Sequence, residues 1–291
     1  MDQEKEEKLT ALREMLAEMN RVVVAFSGGV DSTFLLKIAV EVLGAEQVLA
    51  VTGQSPTYPA WELAEARELA SALGVRQLVI HTEELEREDF AATPPERCYF
   101  CKQELFSRLR QIAQEEGAIA ILDGTNRDDL GDYRPGRKAA RELGVRSPLL
   151  EAGLTKEDIR FFSFALGLPT WNKPACACLS SRFPYGTRIT PEKLLQVERG
   201  EDFLRSLGFG QFRLRHHGPL ARIEIDPEQF PLLLAKASAI VSELKAAGFT
   251  YVALDLEGYR TGSMNETLSL SGVPVKDSEL CQISQGPYGR A

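Results

Sequence analysis

RVVVAFSGGVDSTFLLKIAVEVLG, residues 21–44, decides how this chain folds. RVVVAF (21–26) is a continuous apolar, β-branched run, the pattern of a strand buried on both faces. TFLLKIAVEVLG (33–44) has a helical period and closes on Gly44, a C-cap residue. Between them, SGGVDS (27–32) turns strand directly into helix. Gly28 and Gly29 let the backbone approach an anion closely. The helix N-terminus, entered through Val30, presents N–H groups and the positive end of the macrodipole. Ser27 and Ser32 add hydroxyl donors, and Asp31 is suited to hold Mg²⁺ against phosphate oxygens. The stretch is not a Walker A loop, because no G-K-[ST] follows. The alternative is a tight turn that binds nothing; the full six-residue pattern in this context weighs against it.

The alternation continues outward. QVLAVT (47–52), RQLVIHT (76–82) and AIAILDG (118–124) read as strands. Residues 2–19, 60–74, 104–117, 137–144 and 155–167 read as helices, the last with Thr155 as N-cap. Strand and helix in strict turn predict an α/β fold, a parallel sheet wrapped by helices. DGTNRDD (123–129) follows a strand, so it lies at the C-terminal sheet edge, where open α/β sheets bind ligands. Gly124, Asn126, Asp128 and Asp129 are therefore nucleotide-site candidates; a solvated loop is the alternative for the two aspartates.

The pattern breaks at LPTWNKPACACLSSRFPYGT (168–187), which holds three prolines and no clean period. The remainder reads as a smaller α+β module: a helix (191–208), strands QFRLRHH (211–217) and ARIEID (221–226), a long helix (227–248) and a last strand (251–259). The expected organisation is a nucleotide-binding domain over 1–167, a cysteine-containing active-site linker over 168–187, and a C-terminal domain over 188–291 for substrate binding or oligomerisation. Trp61, Trp171 and Phe183 are expected to pack rather than to stack on a ligand.

The chain has 291 residues and a formal net charge of −8. That balance argues against a large nucleic-acid footprint, which usually needs a basic surplus. The N-terminus is charged with no apolar h-region, and no apolar run approaches bilayer length. A cytoplasmic protein without a membrane segment is expected. In that compartment disulfides are rare, and clustered cysteines bind metal or do chemistry.

Four of the five cysteines fall in two short clusters, RCYFCK (97–102) and ACAC (175–178). Cys98 and Cys101 are spaced to anchor two corners of a metal or cluster site, with Cys178 or Cys176 as a third ligand. A [4Fe–4S] cluster on three cysteines leaves one iron open. A closed zinc site on four cysteines is the competing reading, and burial as small apolar residues is the third. Cys281 stands alone in the tail.

S-G-G-x-D-S resembles the PP-loop of N-type ATP pyrophosphatases, of adenine nucleotide alpha hydrolase-like fold. In that superfamily the loop grips the β,γ-pyrophosphate of ATP while AMP passes to a substrate oxygen. The G-T-N-x-D-D stretch is similar to one near the nucleotide in several of those enzymes. With RCYFCKQELF, KPACACLSSRFPYG and QFRLRHHGPLARIEID in the same order, nearly the whole chain resembles the LarE family, the ATP-dependent sulfur transferases of nickel-pincer nucleotide biosynthesis. The resemblance implies adenylation of the carboxylates of pyridinium-3,5-biscarboxylic acid mononucleotide and their conversion to thiocarboxylates. It implies ATP, Mg²⁺ and ring-like homo-oligomers; the sulfur donor is unknown. Some members sacrifice a cysteine, matching Cys178 here. Others carry three cysteines and a [4Fe–4S] cluster, the type to which Cys98 and Cys101 point. Cys176 is an extra thiol: ligand, sulfur acceptor or neither.

RLR places Arg213 and Arg215 on one face of a strand, and the resemblance assigns them to the substrate phosphate. It also assigns Ser181, Arg182 and Glu201 to the substrate end. A PP-loop tRNA thiolase and a non-enzymatic nucleotide sensor are the competing readings. The acidic balance weighs against the first and the intact loop with its cysteines against the second.

Overall fold

The computed structural model describes residues 3–131, 135–174, 177–260 and 262–266. Four parallel strands form the first sheet: β1 (Val22–Ala25), β2 (Val48–Gln54), β3 (Arg76–His81) and β4 (Ala120–Leu122). Their order is β3-β2-β1-β4. β1 is central, with Val22 opposite Val48 on one side and Ala120 on the other. Val22, Val23 and Val24 are fully buried, as their apolar run predicts. One face of the sheet packs against Leu12, Leu16, Phe34, Leu35 and Phe162. The other packs against Phe106 and Leu109. The chain reverses direction across the sheet between β1 and β4, which makes the crevice beyond their C-terminal ends the topological switch point.

A second sheet of order β5-β6-β7 follows: β5 (Phe212–His217), β6 (Leu220–Ile225) and β7 (Tyr251–Leu254). β5 and β6 are antiparallel and β7 joins β6 in parallel. Its core gathers Leu194, Val197 and Leu204 of the helix Pro191–Ser206 with Leu214, Ile223 and Leu244. Leu179 and Phe183, from the proline-rich stretch, are buried in that same core. Several contacts join the halves, two of them at the start of the helix Ala60–Ala72. Glu198 Oε1 accepts from the Ala60 N–H at 2.9 Å, and the Arg205 guanidinium stacks 4.2 Å from the Trp61 ring centroid.

Three boundaries differ from the sequence expectation. The helix expected from 104 starts at Arg97, because the Arg97 and Tyr99 amides already bond back to Pro94 and Glu96. Cys98 and Cys101 therefore lie on the helix, one turn apart on one face. The long helix over 227–248 is divided into Pro227–Gln229, Phe230–Ala235 and Ala237–Ala246. Pro231 falls in the first turn of the middle segment, where its missing N–H costs nothing. The last strand stops at Leu254, because Asp255 turns the chain by accepting from the Glu257 and Gly258 amides. Among the described residues no helix is long and apolar enough to cross a membrane.

Candidate active site

β1 delivers Ser27 to Ser32 into the switch-point crevice. The helix Val30–Leu43 opens at Gly29 with no side-chain cap, so its first N–H groups are left for a ligand. Gly28 has φ +66°, and a Cβ there would lie 3.1 Å from the Ala66 Cβ. A left-handed backbone against a neighbouring helix admits only glycine at low cost. Ser27 and Ser32 face one another, their hydroxyls 3.2 Å apart. The Tyr58 hydroxyl donates to the Ser27 carbonyl at 2.7 Å. Beside Tyr58 lies a cavity of about 360 Å³ lined by Gln54, Ser55, Leu63, His81 and Glu198.

The loop after β4 closes the other wall. A Cβ on Gly124 would stand 3.0 Å from the Ser32 nitrogen, so glycine permits the two loops to touch. Asn126 Nδ2 donates to Asp31 Oδ1 at 3.3 Å. Asp129 Oδ2 accepts from the Asn126 amide, holding the loop to itself. Asp128 is turned elsewhere: its Oδ2 accepts from the Lys156 amide at 2.8 Å and serves the start of the helix Lys156–Ala165. That helix has the expected Thr155 N-cap, completed by Asp158 as a capping box. Its first residue, Lys156, places Nζ 2.5 Å from Asp31 Oδ2. Sequence reading missed Lys156, since nothing in TKED marks a lysine whose target lies 125 residues away.

Lys173, in the stretch KPACACLSSR, donates from Nζ to the Gly28 carbonyl at 3.1 Å and to Glu65 at 2.7 Å. Six residues on, Leu179 donates its N–H to the Thr57 carbonyl at 2.8 Å. The thiol-bearing segment is thus docked on the phosphate-loop wall at two points.

Arg182 fixes the far end of that segment. It forms a fork on Glu201, Nε to Oε1 at 2.8 Å and Nη2 to Oε2 at 2.9 Å. The two side chains are 2% and 3% exposed. Its Nη1 donates to the carbonyls of Ala177 and Cys178 and to the Ser181 hydroxyl. Glu201 also accepts from the Leu214 amide of β5. Arg182 and Glu201 therefore neutralise each other and shape the cysteine loop, rather than standing open to an anion.

Arg213 and Arg215 lie on one face of β5, as the i, i+2 spacing requires. Arg215 donates to Glu224 at 2.7 Å, to the Ser263 hydroxyl at 2.9 Å and to the Ser181 carbonyl at 2.9 Å. The Arg213 guanidinium stacks over the Tyr259 ring. Arg222, opposite Arg215 in register, shares Glu224. Arg222 Nε also faces Asp255 Oδ2 at 3.5 Å. The face still has more cation than anion, and Nε of Arg215 and Nε2 of His217 are buried without hydrogen-bond partners. Burial, then Arg222 and Arg215, push the His217 pKa down.

Cys98 is exposed, while Cys101 and Cys178 are partly buried, and all three are free thiols. Cys176 and Cys281 lie outside the described residues, as does most of the tail beyond 260. Burial drives the Cys101 pKa far up; the charges of Glu84 and Cys178 add to it, Lys102 opposes, and Cys98 adds again. Cys98 and Cys178 thus each act on Cys101. Among the described residues, no three His, Cys, Asp or Glu side chains are gathered closely enough to hold a metal ion. Glu84 is 1% exposed and takes the hydroxyls of Ser55 and Thr57 on Oε1. Phe183 is core, against His216; Trp171 packs edge-on against Phe164. Trp61 lies between Lys173 and Arg205.

Comparison with known proteins adds three findings. The family model described as NAD synthase matches residues 6–120. The pyridinium-3,5-bisthiocarboxylic acid mononucleotide synthase of Lactiplantibacillus plantarum is 42% identical over 262 residues, 90% of this chain and 95% of that protein. An uncharacterised protein of Synechocystis is 46% identical over 91% of this chain and 99% of its own, and one of Methanocaldococcus jannaschii is 31% identical over 87% and 98%.

Proposed function

The chain belongs to the family of pyridinium-3,5-bisthiocarboxylic acid mononucleotide synthase, and from that premise we propose that it is an ATP-dependent sulfurtransferase converting the biscarboxylic acid mononucleotide to the bisthiocarboxylic acid. The observation that carries this reading is the docking of the thiol segment on the phosphate loop, through Lys173 on Gly28 and Leu179 on Thr57. Activation and sulfur delivery need adjacent sites, because a mixed anhydride exposed to water hydrolyses.

A substrate carboxylate oxygen attacks the α-phosphorus of ATP, the α–β bond breaks, and pyrophosphate leaves. The open N–H groups at the start of the helix Val30–Leu43 hold the leaving group. Asp31 would hold Mg²⁺, which would neutralise developing phosphate charge, and Lys156 and Lys173 add positive charge to the same crevice. The cavity beside Tyr58 takes the adenosine. A sulfur nucleophile then attacks the acyl carbon and AMP departs, leaving sulfur in place of oxygen. A second round treats the other carboxylate.

Cys98, Cys101 and Cys178, with Cys176 as the alternative third ligand, would hold a [4Fe–4S] cluster. Soft thiols are the donor type it needs, Cys98 and Cys178 each act on Cys101, and the unligated iron would supply sulfide. Arg213 and Arg215 would receive the substrate phosphate, while Arg182, Glu201 and Ser181 keep the loop in place. A cytoplasmic homo-oligomer using an external sulfur donor completes the reading. The test is pyrophosphate release that requires both ATP and the mononucleotide, with mass spectrometry of the product. Release that ignores the mononucleotide, or a product that retains every oxygen, would refute it.

A further inference from the structure

Arg97 opens the helix that carries Cys98 and Cys101, and it is 6% exposed. Its Nε and Nη1 are buried with no hydrogen-bond partner. No acidic side chain among the described residues pairs with it. Its guanidinium carbon lies 4.8 Å from the centroid of the Tyr185 ring. A guanidinium stays charged at any physiological pH. Burying it with two donors unmet is among the costliest arrangements a fold can hold. Elsewhere in this protein, Arg182 and Arg215 are as deeply buried and each has its carboxylate.

The surroundings fix Arg97 firmly. Thr93, four residues earlier, is the one non-glycine residue with positive φ among those described, at +55°. It is held by its hydroxyl on the Thr187 carbonyl at 2.6 Å and its own carbonyl on the Gly186 amide. Residues in that strained region persist only where the structure overrides their preference. Tyr185, between Cys178 and Thr187 in the chain, donates to Asn265 at 2.9 Å, two residues from the Ser263 that meets Arg215. Arg97 is thus built into the junction of the cysteine helix, the cysteine segment and the arginine face. The charges acting on Cys101 are those of Glu84, Cys178, Lys102 and Cys98.

We propose that Arg97 is an anion-recognition residue of the sulfur-transfer site, binding a substrate carboxylate beside the cysteines. This rests on the sulfurtransferase reading for the identity of the ligand. A carboxylate rather than the phosphate fits because Arg97 adjoins Cys98, where the acyl group must arrive, while the phosphate has the Arg213 and Arg215 face. A planar guanidinium matches a carboxylate through charge-assisted hydrogen bonds.

The test compares the wild-type protein with Arg97→Met and Arg97→Lys. If Arg97 awaits a ligand, Arg97→Met keeps or raises the apo melting temperature, because an unpaired buried charge is removed. A fall of several degrees instead would make Arg97 structural and overturn the proposal. The KM for the mononucleotide rises about tenfold to hundredfold in Arg97→Met, and Arg97→Lys recovers part of that loss. Thermal protection by pyridine-3,5-dicarboxylate, which has no phosphate, should appear in the wild type and vanish in Arg97→Met. Loss of protection by inorganic phosphate alone would assign the residue to phosphate and overturn the carboxylate assignment. If the wild type releases no pyrophosphate with the mononucleotide, the sulfurtransferase reading fails. Dicarboxylate protection that depends on Arg97 would still stand by itself.

Discussion

Lys156 Nζ lies 2.5 Å from Asp31 Oδ2, while Asn126 Nδ2 holds the other oxygen at 3.3 Å. Both side chains of the ion pair are partly exposed, so the pair adds little to stability, about 1 kcal/mol or less. On the proposed reading its value lies in catalysis. Asp31→Ala should abolish pyrophosphate release, and Lys156→Met should slow it about 10²- to 10³-fold, as expected for loss of one preorganised charge. A coupled pyrophosphate assay at saturating ATP checks both. Near-normal release from Asp31→Ala would remove that residue from the site.

Gly28→Ala should fold poorly and bind ATP weakly. Its φ of +66° costs a side chain about 1–2 kcal/mol, and the new Cβ would press on Ala66. Gly29→Ala, whose Cβ would meet only the Ser27 hydroxyl at 3.4 Å, should keep its stability. Nucleotide-dependent shifts in melting temperature across the two variants give the comparison.

Glu201→Ala leaves the Arg182 guanidinium buried without its carboxylate and the Leu214 amide without an acceptor. The cost should reach about 3–5 kcal/mol in urea denaturation. Replacing both partners, as Arg182→Met with Glu201→Leu, should recover much of that stability while sulfur transfer stays lost, because the carbonyls of Ala177 and Cys178 lose their donor. A double variant with full transfer activity would show the pair to be structural only.

Cys98→Ala should spare adenylation and prevent repeated turnover. Anaerobic purification with iron and sulfide assays should give about four of each per wild-type chain and fewer in the variant. An iron-free wild type that loses the sulfur of one cysteine after turnover would instead assign single-use chemistry to Cys178 or Cys176.

Burial, together with Lys193 and His217, holds the His216 pKa below its ordinary 6.5. Its ring lies between Phe183 and Phe249, with Nε2 against Gln196 Oε1. A depressed histidine pKa means that the unfolded chain binds the proton more readily. Stability is then fully present above 6.5 and declines as pH falls below it, by at most about 1.4 kcal/mol per pH unit for one histidine. His216→Gln should flatten the melting temperature between pH 7 and pH 5. An unchanged slope would place the acid sensitivity elsewhere.

Local pattern carried the strands, the phosphate loop and the Thr155 cap into view, because each is written in adjacent residues. The i, i+2 spacing of Arg213 and Arg215 likewise fixed a shared face. What adjacency does not carry is pairing over long range. Nothing near Lys156 names Asp31, nothing near Lys173 names Gly28, and Arg182 was assigned to a ligand although its carboxylate is nineteen residues away in its own chain. Asp128 was legible as a loop acid, but only the fold turns it toward a helix amide. Nothing in RCYFCK marks Arg97, since an unmet charge is visible only when its surroundings are known.

The fork between Arg182 and Glu201 also orders events during synthesis. Domains fold as they emerge, N-terminal part first. The phosphate loop has its walls and counter-charges once residues up to Lys173 are in place. The cysteine segment stays unset until Glu201 and the Leu214 amide have left the ribosome. On the proposed reading, a nascent chain therefore has its phosphate loop in place before its thiols are arranged, while Glu198 of the adenosine cavity and the Arg213 and Arg215 face are still to come, so an unfinished protein does not activate substrate with no sulfur to meet it.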